Sequence, residues 1–183
     1  MKMLDIVNGQ GYIAKIESQS FVDGEGVRCS IYVSGCPFAC ENCYNKVAQN
    51  FRYGERFNDV MLEEILDYCE PNYIDGLSIL GGEPFCNLDI TLQCARAFRK
   101  RFGHSKRLWV WTGFLYEYLV RETNERKVLL ELVDVLVDGP FLTHLYKTHL
   151  YKPNLPYKGS LNQRIIDVQT SLKKHQICEY IKS

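Results

Sequence analysis

The 183 residues carry 22 Lys plus Arg against 22 Asp plus Glu, with 46% hydrophobic and 24% charged side chains, the profile of one globular domain over 1–183 able to close its own core. A formal charge of zero removes any global electrostatic case for nucleic acid or an acidic membrane surface, so a partner has to be read from local sites. Met1 to Gly11 has no apolar leader core and no stretch approaches the length of a bilayer span, so the expectation is a cytoplasmic protein whose 8 Cys stay reduced.

Along the chain, the first strand signal is Arg28 to Ser34, where β-branched and aromatic residues alternate until Gly35 and Pro37 end the run. Cys36-x3-Cys40-x2-Cys43 follows at once. It packs three thiols into eight residues, separations at which extended or turned backbone lets all three sulfurs reach one small polymetal cluster. Three thiolates satisfy three irons of a cubane and leave the fourth open, and an open position is where a ligand binds. Buried structural thiols fit poorly beside Gly35 and Pro37. Zinc would need Cys29, Cys86 or one of the four His as a fourth ligand, and none sits at the paired short spacing of structural zinc.

Val60 to Cys69 places Leu62, Ile65, Leu66 and Cys69 at helical spacing, and Gly76 to Leu80 reads as a strand stopped by Gly81-Gly82. Ile90, Cys94, Ala97, Phe98 and Phe102 form a second helical stripe ended by Gly103. Leu108 to Trp111 is then a strand closed by Thr112-Gly113, with Trp109 and Trp111 expected as packing aromatics. Phe114 to Leu119 and Val128 to Val133 supply more helix, and Val135 to Val137 is a buried strand broken by Asp138-Gly139-Pro140. This alternation predicts an α/β fold with a curved, mostly parallel sheet. In such folds function collects after the C-terminal ends of the strands, where Cys36 to Cys43, Gly81 to Pro84, Thr112-Gly113 and Asp138-Gly139 all fall.

Beyond them, Phe141 to Gly159 is rich in Tyr, His, Lys and Pro and reads as a lid or docking surface. Cys69 and Cys94 lie on apolar helix stripes and Cys29 alternates with Ile31 and Val33, so these three read as core. Cys86, Cys178 and the four His receive no role. Asp138 and Asp23 each divide evenly between a turn residue and an active-site carboxylate.

With the cysteine loop followed by Gly81-Gly82-Glu83-Pro84, the sequence resembles the radical S-adenosylmethionine enzymes. Within them it is similar to the activating proteins of anaerobic (class III) ribonucleoside-triphosphate reductase across most of its length. Cys43-Tyr44-Asn45-Lys46, Trp109 to Gly113, Val135 to Gly139 and Lys158 to Arg164 carry the similarity. Three positions depart from the family pattern: Asn42 stands where an aromatic that packs on adenine is frequent, Glu25 where Pro is common, and Lys158 where Arg is usual.

The resemblance implies a partial (β/α) barrel of the radical S-adenosylmethionine type and a 4Fe-4S cluster on Cys36, Cys40 and Cys43. It implies S-adenosylmethionine held by Gly81, Gly82 and Glu83, with Tyr44, Thr112 and Asp138 as further contacts. The implied reaction is reductive cleavage of that cofactor to a 5'-deoxyadenosyl radical, which generates a glycyl radical on the reductase. A reduced flavodoxin-like protein is the implied electron donor. Gly81 and Gly82 suit this, since without Cβ atoms they let backbone approach a ligand, and a Glu83 carboxylate can accept hydrogen bonds from an ammonium group.

Overall fold

A computed structural model describes residues 11–146 and 156–181. The chain opens with strand β1, Tyr12–Ser20, which alternation alone does not mark because Lys15, Glu17, Ser18 and Gln19 dilute its apolar face. Only six residues join it to β2, Val27–Val33. A connection that short cannot make a parallel crossover, which needs roughly a dozen residues or more, so β1 and β2 pair antiparallel. The strand that leads into the cysteine loop is therefore the second strand rather than the first.

A two-residue strand, β3 (Glu55–Arg56), pairs with the outer edge of β1. Helix α1 (Asp59–Cys69) follows, started by Asn58, whose side chain accepts the Met61 N–H at 3.0 Å. Strand β4 (Ile74–Gly81) lies parallel to β2, with Cys29 beside Leu77 and Ile31 beside Ile79. Helix α2 (Leu88–Phe102) gathers Arg99, Lys100 and Arg101 in its last turn, where cations favour the carbonyl end, and stops at Gly103 with φ +56°.

Strand β5 (Arg107–Trp111) is parallel to β4. Two helices, α3 (Tyr116–Leu119) and α4 (Glu125–Leu132), lead to β6 (Val135–Asp138), parallel to β5. The far edge is β7 (Arg164–Asp167), antiparallel to β6 and followed by α5 (Val168–Lys174).

The sheet order is β3-β1-β2-β4-β5-β6-β7. The architecture is thus α/β with an open mixed sheet: β2, β4, β5 and β6 form the expected parallel centre, while β1 and β7 run antiparallel to it. Those two strands, β3 and α5 are the elements that periodicity leaves unmarked; β7 has only four residues, with charged groups at both ends.

One face of the sheet is covered by helices. Cys29, Ile31, Leu77, Ile79, Leu108, Val110 and Leu136 pack there against Ile65, Cys69, Cys94, Phe98 and Leu129. Cys29, Cys69 and Cys94 are core side chains, as expected. The alternate residues point the other way, where Trp109, Val135 and Val137 meet Trp111, Tyr157, Ile165 and Tyr180.

On that second face Arg28 is buried with no carboxylate ion-pair partner among the described residues. Its guanidinium donates to Ser78 Oγ (2.7 Å) and to the carbonyls of Glu25, Leu77 and Arg107, and lies 5.4 Å from the Trp109 ring centre. Burial lowers its pKa to about 10. The group staples the N-terminal ends of β2, β4 and β5. Arg28→Met should leave three carbonyls short of a donor and remove about 3 kcal/mol. For a chain of this length that lowers Tm by roughly 6–12 °C in thermal denaturation, and a shift under about 2 °C would refute the staple.

Candidate metal centre

Cys36, Cys40 and Cys43 are free thiols, each half-buried, on the loop that leaves β2. The loop is curled by backbone geometry as much as by contacts. Ala39 (φ +46°) and Asn42 (φ +54°) adopt the left-handed region, each directly before a cysteine, and the Cys43 N–H donates to the Cys40 carbonyl at 3.2 Å. For a non-glycine residue that region costs about 1–2 kcal/mol, and such outliers collect at ligand clamps. Burial pushes the Cys36 thiol up to about 11, so loading it as a thiolate releases a proton.

Among the described residues no three His, Cys, Asp or Glu side chains are disposed to hold one metal ion, the three cysteines included. Three thiols on one curled loop, with no disulfide among them, are the donor set a cubane with one open iron requires.

Main-chain bonds fasten this loop on two sides. Gly35 and Cys36 donate to the carbonyls of Ala48 (2.7 Å) and Gln49 (3.1 Å). From β4, the Gly82 N–H reaches the Val33 carbonyl (2.7 Å) and the Glu83 N–H reaches that of Gly35 (2.8 Å). Asn87 Nδ2 bridges the Gly35 and Glu83 carbonyls at 2.9 and 2.8 Å. Gly82 is pressed so close that a Cβ there would stand 2.5 Å from the Gly35 carbonyl oxygen.

Glu83 is 1% exposed, and its carboxylate accepts from the chain itself: Phe85 N–H (3.0 Å), Thr112 Oγ1 (2.7 Å) and Gly113 N–H (2.8 Å). Burial pushes its pKa up to about 7 against the pull of those donors. The carboxylate thus ties the end of β4 to the end of β5. Phe38 of the cysteine loop covers Gly113 and packs edge-on against Phe114, with ring centres 5.0 Å apart. Tyr44 is 97% exposed.

Asp138 is fully buried, and its carboxylate accepts from the Tyr116 N–H (2.8 Å) and from both Nε and Nη2 of Arg164. Those partners tie Asp138 to the start of α3 and to β7. Arg164 also grips Glu117 in a two-point pair at 2.9 and 2.8 Å. Gln163 Nε2 holds the Gly139 carbonyl and Asn162 Nδ2 that of Pro140. Thr143 Oγ1 donates to the Glu41 carbonyl at 2.6 Å. Between Phe38, Cys40 and Glu41 on one side and Pro140 to His144 on the other lies a cleft of about 430 Å³. Of the Phe141 to Gly159 stretch, 147–155 lie outside the described residues.

All four loops are therefore contiguous at the C-terminal ends of β2, β4, β5 and β6. Asn87, Phe38, Glu117 and Arg164 join the site without having been singled out from sequence as single residues. Asn87 has the composition of a helix cap before Leu88, yet it makes no side-chain cap bond and serves the loop instead.

Arg164 holds the Glu117 carboxyl down at about 2, below its ordinary 4.5. A depressed carboxyl contributes stability that is complete above 4.5 and lost as pH falls towards 2. Glu117→Gln should accordingly lower Tm at neutral pH, with the gap to the parent protein closing below about pH 4.5. A gap that stays constant down to pH 3 would rule the pair out as its source.

Residues 22–166 match the family model of a 4Fe-4S single cluster domain. The chain is 35% identical over 147 residues to the anaerobic ribonucleoside-triphosphate reductase-activating protein of Haemophilus influenzae, covering 79% of this chain and 90% of that protein. The protein of the same name from Pasteurella multocida is 39% identical over 151 residues, 79% and 89% of the two chains. That of Enterobacteria phage T4 is 32% identical over 161 residues, 85% and 93%.

Proposed function

Because the chain belongs to the anaerobic ribonucleoside-triphosphate reductase-activating proteins, we propose that its residues divide that activity between a cluster loop and a cofactor edge. The protein is an iron-sulfur enzyme that activates the anaerobic reductase using S-adenosylmethionine. Cys36, Cys40 and Cys43 hold the 4Fe-4S cluster. When bound, the cluster supplies one electron and S-adenosylmethionine supplies the 5'-deoxyadenosyl group that takes a hydrogen atom from one glycine of the reductase.

The backbone of Gly81 and Gly82 would hold the cofactor's methionyl end, with Glu83 and Thr112 fixing the edge they form. Tyr44, which is exposed, would contact the adenine side. Asp138 acts through Arg164 and the Tyr116 N–H to hold the wall beyond β6. The open sheet serves as a partial barrel, its face opposite α1, α2 and α4 turned to the substrate, within a single domain over 1–183. No helix among the described residues is long and apolar enough to cross a membrane, and we place the enzyme in the cytoplasm with a reduced flavodoxin-like protein as its electron donor.

The observation that carries this reading is the fastening of a three-thiol loop to the Gly81-Gly82-Glu83 turn through main-chain atoms of Val33 and Gly35. The test is anaerobic reconstitution with iron and sulfide, reduction, and assay of methionine and 5'-deoxyadenosine, followed by electron paramagnetic resonance of the added reductase. Both products and a glycyl radical are expected. A colourless zinc-bound protein that cleaves nothing would overturn the assignment.

A further inference from the structure

The cluster needs an electron from outside, since the sequence carries only one Cys-x3-Cys-x2-Cys run. The segment that follows the third cysteine has the character of a landing surface. Val47, Phe51 and Tyr53 are exposed apolar side chains, and Lys46, Arg52 and Arg56 are exposed cations interleaved with them. None of the three cations forms an ion pair among the described residues, whereas Arg99, Arg101, Arg126 and Arg164 are all paired. One carboxylate, Glu55, lies in the same stretch. A cluster of unpaired cations around exposed aromatic surface complements an acidic partner.

The same segment is wired to the cluster loop. The Phe51 ring rests on Gly35, where a Cβ would meet it at 2.1 Å, and the residue after Gly35 is the first cysteine. Gly35 and Cys36 donate to the carbonyls of Ala48 and Gln49. The surface also lies on a separate flank from the cofactor edge. It borders β3 and β1, whereas Gly81 to Glu83 and Thr112 lie across β2 on the β4–β5 side. A carrier seated there leaves the cofactor edge free for the reductase.

We propose that the Lys46 to Arg56 surface is the docking site of an acidic one-electron carrier protein of the flavodoxin class. The proposal rests on the activase reading above. Each cycle takes one electron from the reduced carrier. The sulfonium carbon-sulfur bond breaks with its electron pair left on methionine sulfur, and the hydrogen atom removed from glycine ends on 5'-deoxyadenosine. Redox encounters of this kind are small and driven by charge, so they are sensitive to salt and to charge reversal.

The test compares two reductants on the reconstituted full-length enzyme, photoreduced flavodoxin and dithionite. Combined Lys46→Glu, Arg52→Glu and Arg56→Glu should slow flavodoxin-driven formation of 5'-deoxyadenosine by about tenfold or more while leaving the dithionite-driven rate unchanged. In the parent enzyme, raised ionic strength should slow the flavodoxin-driven reaction only. An unchanged flavodoxin-driven rate in the variant overturns the proposal. So does a variant that keeps that rate but loses glycyl radical yield, which would give the surface to the reductase. If the triple variant does not fold, Arg52→Gln with Arg56→Gln and the salt series decide the matter, and a salt-independent flavodoxin rate overturns it. Absence of cleavage with dithionite in the parent would instead be a failure of the activase reading itself.

Discussion

Cys40→Ala should leave a folded protein that holds no intact cluster after reconstitution and yields no 5'-deoxyadenosine, whereas Cys94→Ala should keep both. The two thiols differ in surroundings more than in chemistry. Cys40 lies half-buried on the curled loop at the end of β2, behind a left-handed Ala39. Cys94 is fully buried on α2 in the helix-covered core, where burial pushes its pKa up to about 12 and keeps it a protonated packing group. Removing its sulfur costs packing of about 1–2 kcal/mol, visible as a lower Tm. Cys36→Ala and Cys43→Ala should behave like Cys40→Ala, and Cys69→Ala like Cys94→Ala. Iron content, visible absorption and product assay read the first effect; thermal denaturation reads the second. Loss of activity in both groups with folding intact would undo the assignment of ligands.

Gly82→Ala is expected to have an effect of the same order while touching no ligand. Its φ lies outside the left-handed region, so the cost is spatial: the new methyl would stand 2.5 Å from the Gly35 carbonyl oxygen and 2.9 Å from its nitrogen, both backbone atoms that cannot swing aside. The turn and the cysteine loop must part, breaking the bonds from Gly82 to Val33 and from Glu83 to Gly35. Loss of such supporting contacts typically weakens metal retention by about 10–100-fold, and cluster content after desalting should fall accordingly. Gly103→Ala is the control. Its added methyl meets nothing within 4 Å, but φ is +56°, so it should cost about 1–2 kcal/mol of stability and no iron. Equal cluster content in Gly82→Ala and the parent would show that the close approach is not needed.

The parallel centre of the sheet was legible because β2, β4, β5 and β6 are rich in apolar, β-branched and aromatic residues and each is followed closely by a glycine, and α1 and α2 because their apolar residues keep helical spacing. The cysteine loop and Gly81 to Glu83 were legible as local motifs. What stayed hidden depended on partners distant in the chain. β1 is half-exposed, with polar residues along much of its length. Asn87 gains its role only by meeting Gly35, and Arg164 only by reaching Glu117 and Asp138 across the sheet edge. The carboxylates were visible as residues, but their commitment to internal donors was not: Glu83 faces Thr112 and Gly113, and Asp138 faces Arg164.

The fastening of the cysteine loop has a consequence for how the enzyme survives air. The anchors described where the loop leaves β2 engage main-chain atoms of Val33, Gly35 and Cys36, and none engages a sulfur. An oxidant that strips the iron therefore leaves the moorings untouched. The emptied loop keeps its place in the scaffold, and repair becomes a matter of resupplying metal and sulfide to a waiting frame instead of making a new chain.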